Sequence, residues 1–465
     1  MNLLRRLTDS PRPLLWLGVL VFVYSWFASL VLQLWLIPTL FTQPGAAEGL
    51  VVLDSIGFDR KAKMLAEVIN TLGWSAWELR PGGQSTVGIL AALYALFGPT
   101  PTVILPFNAA VHAMSACVVL MVLRNFFTLM PAMLGALFFA LNPSSFEWVA
   151  QVHRDGIFIL GNLLFILGIL RFVRGFETRH GIDLWHWLIW LLLTLVGSSL
   201  IWVSRPYWIH ITFFILILTV VTVMLWMCFQ GKIASRNLVR FAVMILLLGL
   251  FHIWLTVFHS NFNVGSHLPE VTANLGTNTN TNTNMNTNTN TNTNTNWYWR
   301  HSKWLPERVE IGFYRIATMR LGAISQGGNS LVDGDWHLDS VGAIFGYVPR
   351  ALQVGFFSPF PNLWAGEGST PAMTMARKLL GGFTLSCYLC LVGFAIGLWR
   401  MRQKLLLWVM VGICSTGILI YAITYPNVGS LIRYRYGFYM VLISFGIASL
   451  IDLWPRCGNR LKRNK

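Results

Sequence analysis

What most constrains this chain is a series of about ten apolar runs, each on the order of the 20 residues a helix needs to cross the hydrocarbon of a bilayer. They fall near residues 14–38, 103–123, 128–142, 156–173, 184–203, 207–228, 238–258, 375–398, 405–424 and 436–452. Inside lipid such a run has to satisfy its own backbone N–H and C=O groups, and an α-helix does so within one segment. The expected fold class is therefore all-α: a polytopic transmembrane helical protein of about ten spans, with external amphipathic helices and a large external loop region. Composition agrees. Only 11% of the 465 residues are charged and the mean hydropathy is +0.58, whereas about a quarter of a water-soluble domain is charged.

Charge placement orients the runs. Arg5, Arg6 and Arg12 precede the first; Arg124, the segments Arg171 to Arg179 and Lys232 to Arg240, then Arg400 to Lys404 and Arg456 to Lys465 follow at every second connection. Lys and Arg in short loops stay on the cytoplasmic side. Both termini are thus expected in the cytoplasm, the chain crosses the inner (cytoplasmic) membrane many times, and the active site is sought on the external, periplasmic face. These anchors account for the net charge of +16, and no basic stripe interleaved with aromatics points to nucleic acid. The first run is too long for a cleaved signal peptide and reads as a retained anchor.

The organisation read from the sequence has three parts. Residues 1–258 form an N-terminal transmembrane module whose first external loop is 39–102; residues 259–373 form an external loop region; residues 374–465 carry the last helices and a basic cytoplasmic tail. Within the second part, the Thr/Asn repeat from Thr277 to Asn296 cannot bury a core and is expected to be a disordered insertion. The cysteines at 117, 228, 387, 390, 414 and 457 fall in spans or on the cytoplasmic side, so none is placed for an external disulfide. "CYLC" lies in an apolar helix without His or carboxylate partners and reads as packing.

The external segments carry the chemistry. In "LDSIGFDRKAKMLAE", Phe58, Ala62, Leu65, Ile69 and Leu72 recur at helical spacing, which predicts an amphipathic helix on the membrane surface. Asp54 stands at its start. It is either a helix N-cap or, held partly desolvated at the membrane boundary, a general base. Asp59, toward the polar face, is a rival base. His153, Arg154 and Asp155 sit at the outer end of a span, where charged groups cost about 2.5–3.5 kcal/mol and are paired or functional. Arg205 in "WVSRPYW" lies at a similar boundary, as an interfacial anchor or as a fork for a phosphate. Further on, Glu307 to Leu321 suggests a surface helix. Asp333, Asp335, His337 and Asp339 form a solvated loop, or the acidic residues among them supply oxygen ligands for a divalent cation such as Mg or Mn. Tyr347, Arg350 and the aromatic run to Trp364 suit an interfacial or re-entrant element that could line a lipid groove or stack on sugars.

Taken in order, Asp54 with Phe58 and Ala62, then "RPGGQSTVGILAALYALFG", then "NPSS" and "HRDGIFIL", resemble the polyprenyl-phosphate-sugar-dependent glycosyltransferases of the GT-C superfamily, the group of the protein mannosyltransferases and aminoarabinose transferases. The resemblance covers the first half of the chain, and "RYRYGFYMVL" is similar to the family's Arg-Tyr segment. It implies an enzyme of cell-envelope or polysaccharide biosynthesis that moves a sugar from a polyprenyl-phosphate donor to a hydroxyl of a lipid, glycan or protein acceptor, with inversion. In that reading Asp54 is the catalytic base and Asp155 the second carboxylate. Arg80 and Arg205, with Arg433 and Arg435, bind the donor phosphate; Asp59, His153, Arg154, Tyr347 and Arg350 are secondary candidates. No metal ligand set is assigned. Two departures stand out: Ser55 follows Asp54 where many relatives carry a second carboxylate, and "RPGG" replaces Pro-Pro. A polysaccharide polymerase or ligase of another membrane fold would instead rely on the 300–350 loop with Arg433 and Arg435. A transporter would place ionisable residues near the midplane in related halves.

Overall fold

The computed structural model describes residues 12–177, 184–229, 235–257, 297–325, 327, 330–367 and 371–463. The Thr277 to Asn296 insertion, Arg5, Arg6, Arg179 and Lys232 lie outside these residues. Fifteen helices follow one another in the described chain. α1 is Pro13–Leu40, with a wider turn at Leu32–Leu36; α2 is Leu53–Leu72, α3 Ser85–Phe97, α4 Leu105–Leu123, α5 Leu129–Ala140 and α6 the short Phe146–Val149. Then come α7 Asp155–Glu177, α8 Leu184–Ser204, α9 Trp208–Phe229, α10 Ser235–Val257, α11 Glu307–Ser325, α12 Val341–Phe357, α13 Pro371–Arg400, α14 Leu405–Thr424 and α15 Val428–Arg463. Among the described residues there is no strand, only an isolated bridge between Leu331 and Asn427.

Eight of these helices are long and apolar enough to cross a membrane. The ten runs of the sequence differ from this at two places. The run at 128–142 becomes a bent pair, Leu129–Ala140 and Pro143–Val149, angled by 48°. The bend has a local cause: Asn142 takes the extended backbone favoured before proline, and its side-chain oxygen accepts the Ser144 N–H at 3.0 Å. The run at 238–258 lies in α10, whose described apolar core is the shorter Ala242–Leu255.

α4, α7 and α15 form the interior of the bundle, while α1 and α13 turn most of their surface outward. Close helix approach depends on small residues. A Cβ on Gly197 would lie 2.7 Å from the carbonyl oxygen of Gly161, so α7 and α8 meet backbone to backbone there.

α2 packs along α3 outside this bundle, burying Phe58, Ala62, Ala66 and Ile69. The sequence pattern placed Asp59 on the polar side and Leu72 on the apolar side, and the structure reverses both. Asp59 is buried against α3, where Tyr94 donates to it at 2.5 Å and Lys63 pairs with it at 2.9 Å, whereas Leu72 is exposed. The helix is therefore amphipathic with one buried carboxylate inside its packed stripe, paired to a partly exposed lysine.

Candidate functional site

Polar side chains of the bundle fix where the site is built. Gln33 of α1 and Asn108 of α4 donate to the carbonyls of Ala150, Val149 and Gln151, holding the segment between α6 and α7. Gln151 in turn receives the Val51 N–H at 3.0 Å and donates to the Gly49 carbonyl at 2.8 Å. The approach to α2 is thereby tied to the approach to α7. Asp54 lies in the first turn of α2, but the N-cap is Val52 and no side-chain cap is made. The helix-cap reading of Asp54 is corrected accordingly.

Five elements converge here. Arg433, in α15, places Nη1 2.8 Å from His153 Nε2 and 3.9 Å from Asp54 Oδ2, and its Nε 3.3 Å from Glu147 Oε1 in α6. His153 Nδ1 faces Asp155 Oδ2 at 3.2 Å, and Arg205 donates a short hydrogen bond to the other Asp155 oxygen. Asp155 opens α7, where the helix dipole favours a carboxylate. Exposure separates the two carboxylates assigned from sequence: the Asp54 side chain is 58% exposed, whereas those of Asp155 and Arg205 are 1% exposed. Asp54 can meet a ligand; Asp155 and Arg205 form an interior pair.

Aromatic groups enclose that pair. The Arg205 guanidinium lies 3.8 Å from the Tyr434 ring centroid and 4.8 Å from that of Phe158, and donates to Tyr207 at 3.1 Å. Burial alone would lower the Arg205 pKa, but Tyr207 and Asp155 outweigh it and raise it well above its ordinary value. A fixed cation is thus held beneath Arg433, with a fixed anion between them.

The other candidates lie apart. Arg154 is half-buried and joins none of these contacts. Arg80 stacks 4.6 Å over Trp202 of α8, and its Nε is buried without a hydrogen-bond partner; burial lowers its pKa. Arg435, grouped with Arg433 from sequence, is directed elsewhere: it donates to the carbonyls of Val354, Gly355 and Ser358 and to the Ser358 hydroxyl, closing the C-terminal end of α12. Residues two apart on a helix point about 200° apart, so Arg433 and Arg435 cannot serve one spot.

Tyr347 and Arg350 belong to a second cluster. Asp333 accepts two hydrogen bonds from Arg350, at 2.9 and 3.0 Å, and one from Tyr347 at 3.0 Å. Arg320 donates to the carbonyls of Asp333 and Ile423 and lies 4.6 Å over Tyr347. Burial pushes the Tyr347 hydroxyl up to about 12. Despite burial, the Arg350 and Tyr347 hydrogen bonds hold the Asp333 carboxyl below its ordinary range. Asp339 pairs with Arg300 at 2.7 Å. Two of the three acidic residues considered for a cation are therefore taken by arginines, and among the described residues no group of three His, Cys, Asp or Glu side chains gathers to hold a metal.

Sequence reasoning missed Glu147, Gln151, Tyr207 and Tyr434. Glu147 had a signal: it is the one carboxylate between "NPSS" and Asp155. Compared with known proteins, the chain matches no family profile, no curated protein and no solved structure.

Proposed function

We propose that the chain is an integral membrane glycosyltransferase that passes a sugar from a polyprenyl-phosphate donor to an acceptor hydroxyl, with inversion, at the external face of the cytoplasmic membrane. One observation carries the reading: an exposed carboxylate, Asp54, stands 3.9 Å from a buried arginine, Arg433, where five elements meet. Inverting transfer needs a base at the acceptor hydroxyl and a cation at the departing phosphate, held at fixed separation. Asp54 takes the acceptor proton as its oxygen attacks the anomeric carbon. Arg433 meets the phosphate oxygen that gains charge as the glycosidic bond breaks. Asp155 and Arg205, interior and mutually paired, support this site from behind.

The same convergence supports ten crossings. Asp54, the Glu147 to Asp155 segment, Arg205 and Arg433 meet at one end of the bundle, so the chain between successive members crosses an even number of times. α4 pairs with α5 and α6 together, α7 with α8, α9 with α10 and α13 with α14, while α1 and α15 complete the set. With the arginine-rich connections inside, both termini are cytoplasmic and the cluster faces outward.

The test is sugar transfer by purified protein given labelled polyprenyl-phosphate sugars and a cell-envelope extract. Asp54→Asn, which keeps the shape and removes the base, is expected to lose about 10²–10⁴-fold in rate with donor binding retained. Undiminished transfer by that variant would remove Asp54 from the chemistry and the reading with it.

A further inference from the structure

We infer that His153 is the positioning residue for Arg433, acting as a neutral imidazole with its proton on Nδ1 and its Nε2 lone pair turned to the guanidinium. The argument begins with what each group can do. A guanidinium has five N–H donors and no acceptor, so the 2.8 Å approach of Arg433 Nη1 to His153 Nε2 requires that nitrogen to accept. An Nε2 that accepts carries no proton. The imidazole proton is then on Nδ1, the nitrogen 3.2 Å from Asp155 Oδ2. Both atoms are buried, and neither meets hydrogen-bond geometry with any group among the described residues, so each is the charge complement standing nearest the other.

Asp155 thus gains a specific task. One of its oxygens is held by Arg205, which leaves the other to select the tautomer of His153. Phe58 meets the imidazole edge-on, its centroid 6.3 Å away at 87°, and limits rotation of the ring. The groups form an ordered chain: Arg433 donates to His153, the other nitrogen of His153 stands 3.2 Å from Asp155, and Arg205 donates to Asp155 from the far side. Arg433, at the solvent end, is aimed by a buried pair that no ligand reaches. The functional weight of this inference rests on the donor site proposed above, whereas the order of contacts from Arg433 through His153 and Asp155 to Arg205 stands on its own distances.

Four variants test it: His153→Gln, His153→Leu, Asp155→Asn and the double variant His153→Gln/Asp155→Asn. Glutamine offers Arg433 an acceptor and has no tautomer to select; leucine offers nothing. Asparagine at 155 keeps its oxygen on Arg205 and turns an NH₂ toward Nδ1, which forces the proton to Nε2 against the Arg433 N–H. Binding of polyprenyl phosphate, donor KM and kcat are measured for each. His153→Leu and Asp155→Asn are expected to weaken donor binding and raise donor KM on the order of 10–100-fold, with the smaller change in kcat. His153→Gln stays within about threefold of wild type, and Asp155→Asn costs little more in that background.

Equal loss in His153→Gln and His153→Leu overturns the inference, because the acceptor would then be irrelevant. So does a loss from Asp155→Asn that is as large with glutamine at 153 as with histidine, since Asp155 would be acting through Arg205. Melting temperatures of the purified variants keep the two proposals apart. If Arg433→Ala binds polyprenyl phosphate as wild type does, the donor role of Arg433 fails; the same pattern of losses and glutamine rescue in melting temperature would still support the chain, and its absence would end it.

Discussion

At the residue scale, one arginine meets three different kinds of partner: an exposed carboxylate, a half-exposed carboxylate and an imidazole. Replacing Arg433 by Lys keeps the charge but not the fork of donors, so donor binding should fall with little change in folding, as read by lipid binding beside a melting curve. Asp59 gives the opposite outcome. Removing it in Asp59→Ala leaves the buried Tyr94 hydroxyl without its acceptor, at a cost of about 1–3 kcal/mol in unfolding free energy and no change in donor binding. His153 and Asp155 could be named from the sequence because they break an apolar run at its outer end, Asp54 because it opens an amphipathic pattern, and Arg433 from the resemblance of the segment that leads into the last apolar run. Arg435 lies in the same segment, and only helical phase separates it from Arg433, a distinction that needs the true start of α15 at Val428 rather than the apolar start near 436. Glu147 escaped because the bend before α6 was not foreseen.

At the scale of elements, the docking of the loop after α11 is sensitive to acid. Asp333 holds Tyr347 and Arg350 of α12, while Val332 and Ser330 exchange backbone bonds with Pro426 and Val428 just ahead of α15. Its folded pKa is depressed, so its contribution is full above the unfolded carboxylate value of about 3.9 and is lost as pH falls through the lower folded value. Proteolysis of this loop should accelerate below about pH 4 in the wild type, and Asp333→Asn should show that acid-like susceptibility already at neutral pH. The contact of α7 with α8 is a matter of volume. Gly197→Val would drive a side chain into the Gly161 carbonyl and should destabilise by about 1–3 kcal/mol or more, whereas Gly312→Ala, facing open space, should melt as wild type. Periodicity revealed α2 but not which of its charges turned inward, since that choice belongs to the partner helix and its Tyr94.

At the scale of the whole molecule, the apolar runs made the helical class legible because a bilayer leaves few alternatives. They left the number of crossings open, since the run at 128–142, of which twelve residues form α5, is too short to announce a span alone. The ten crossings proposed above make a direct expectation. In sealed right-side-out vesicles, a membrane-impermeant thiol reagent should modify Glu67→Cys, while Lys404→Cys should react only after lysis. Labelling of Lys404→Cys in intact vesicles would invert the orientation.

The double hold of Gln151 on residues 49 and 51 has a consequence for biogenesis. If the bent α5 and α6 failed to enter the bilayer, Glu147, Gln151, His153 and Asp155 would be stranded on the wrong side. The first loop would then lose its anchor and Arg433 its neighbours. Under the function proposed above, a misthreaded chain is therefore catalytically silent from the outset, and the site doubles as an inspection of its own insertion.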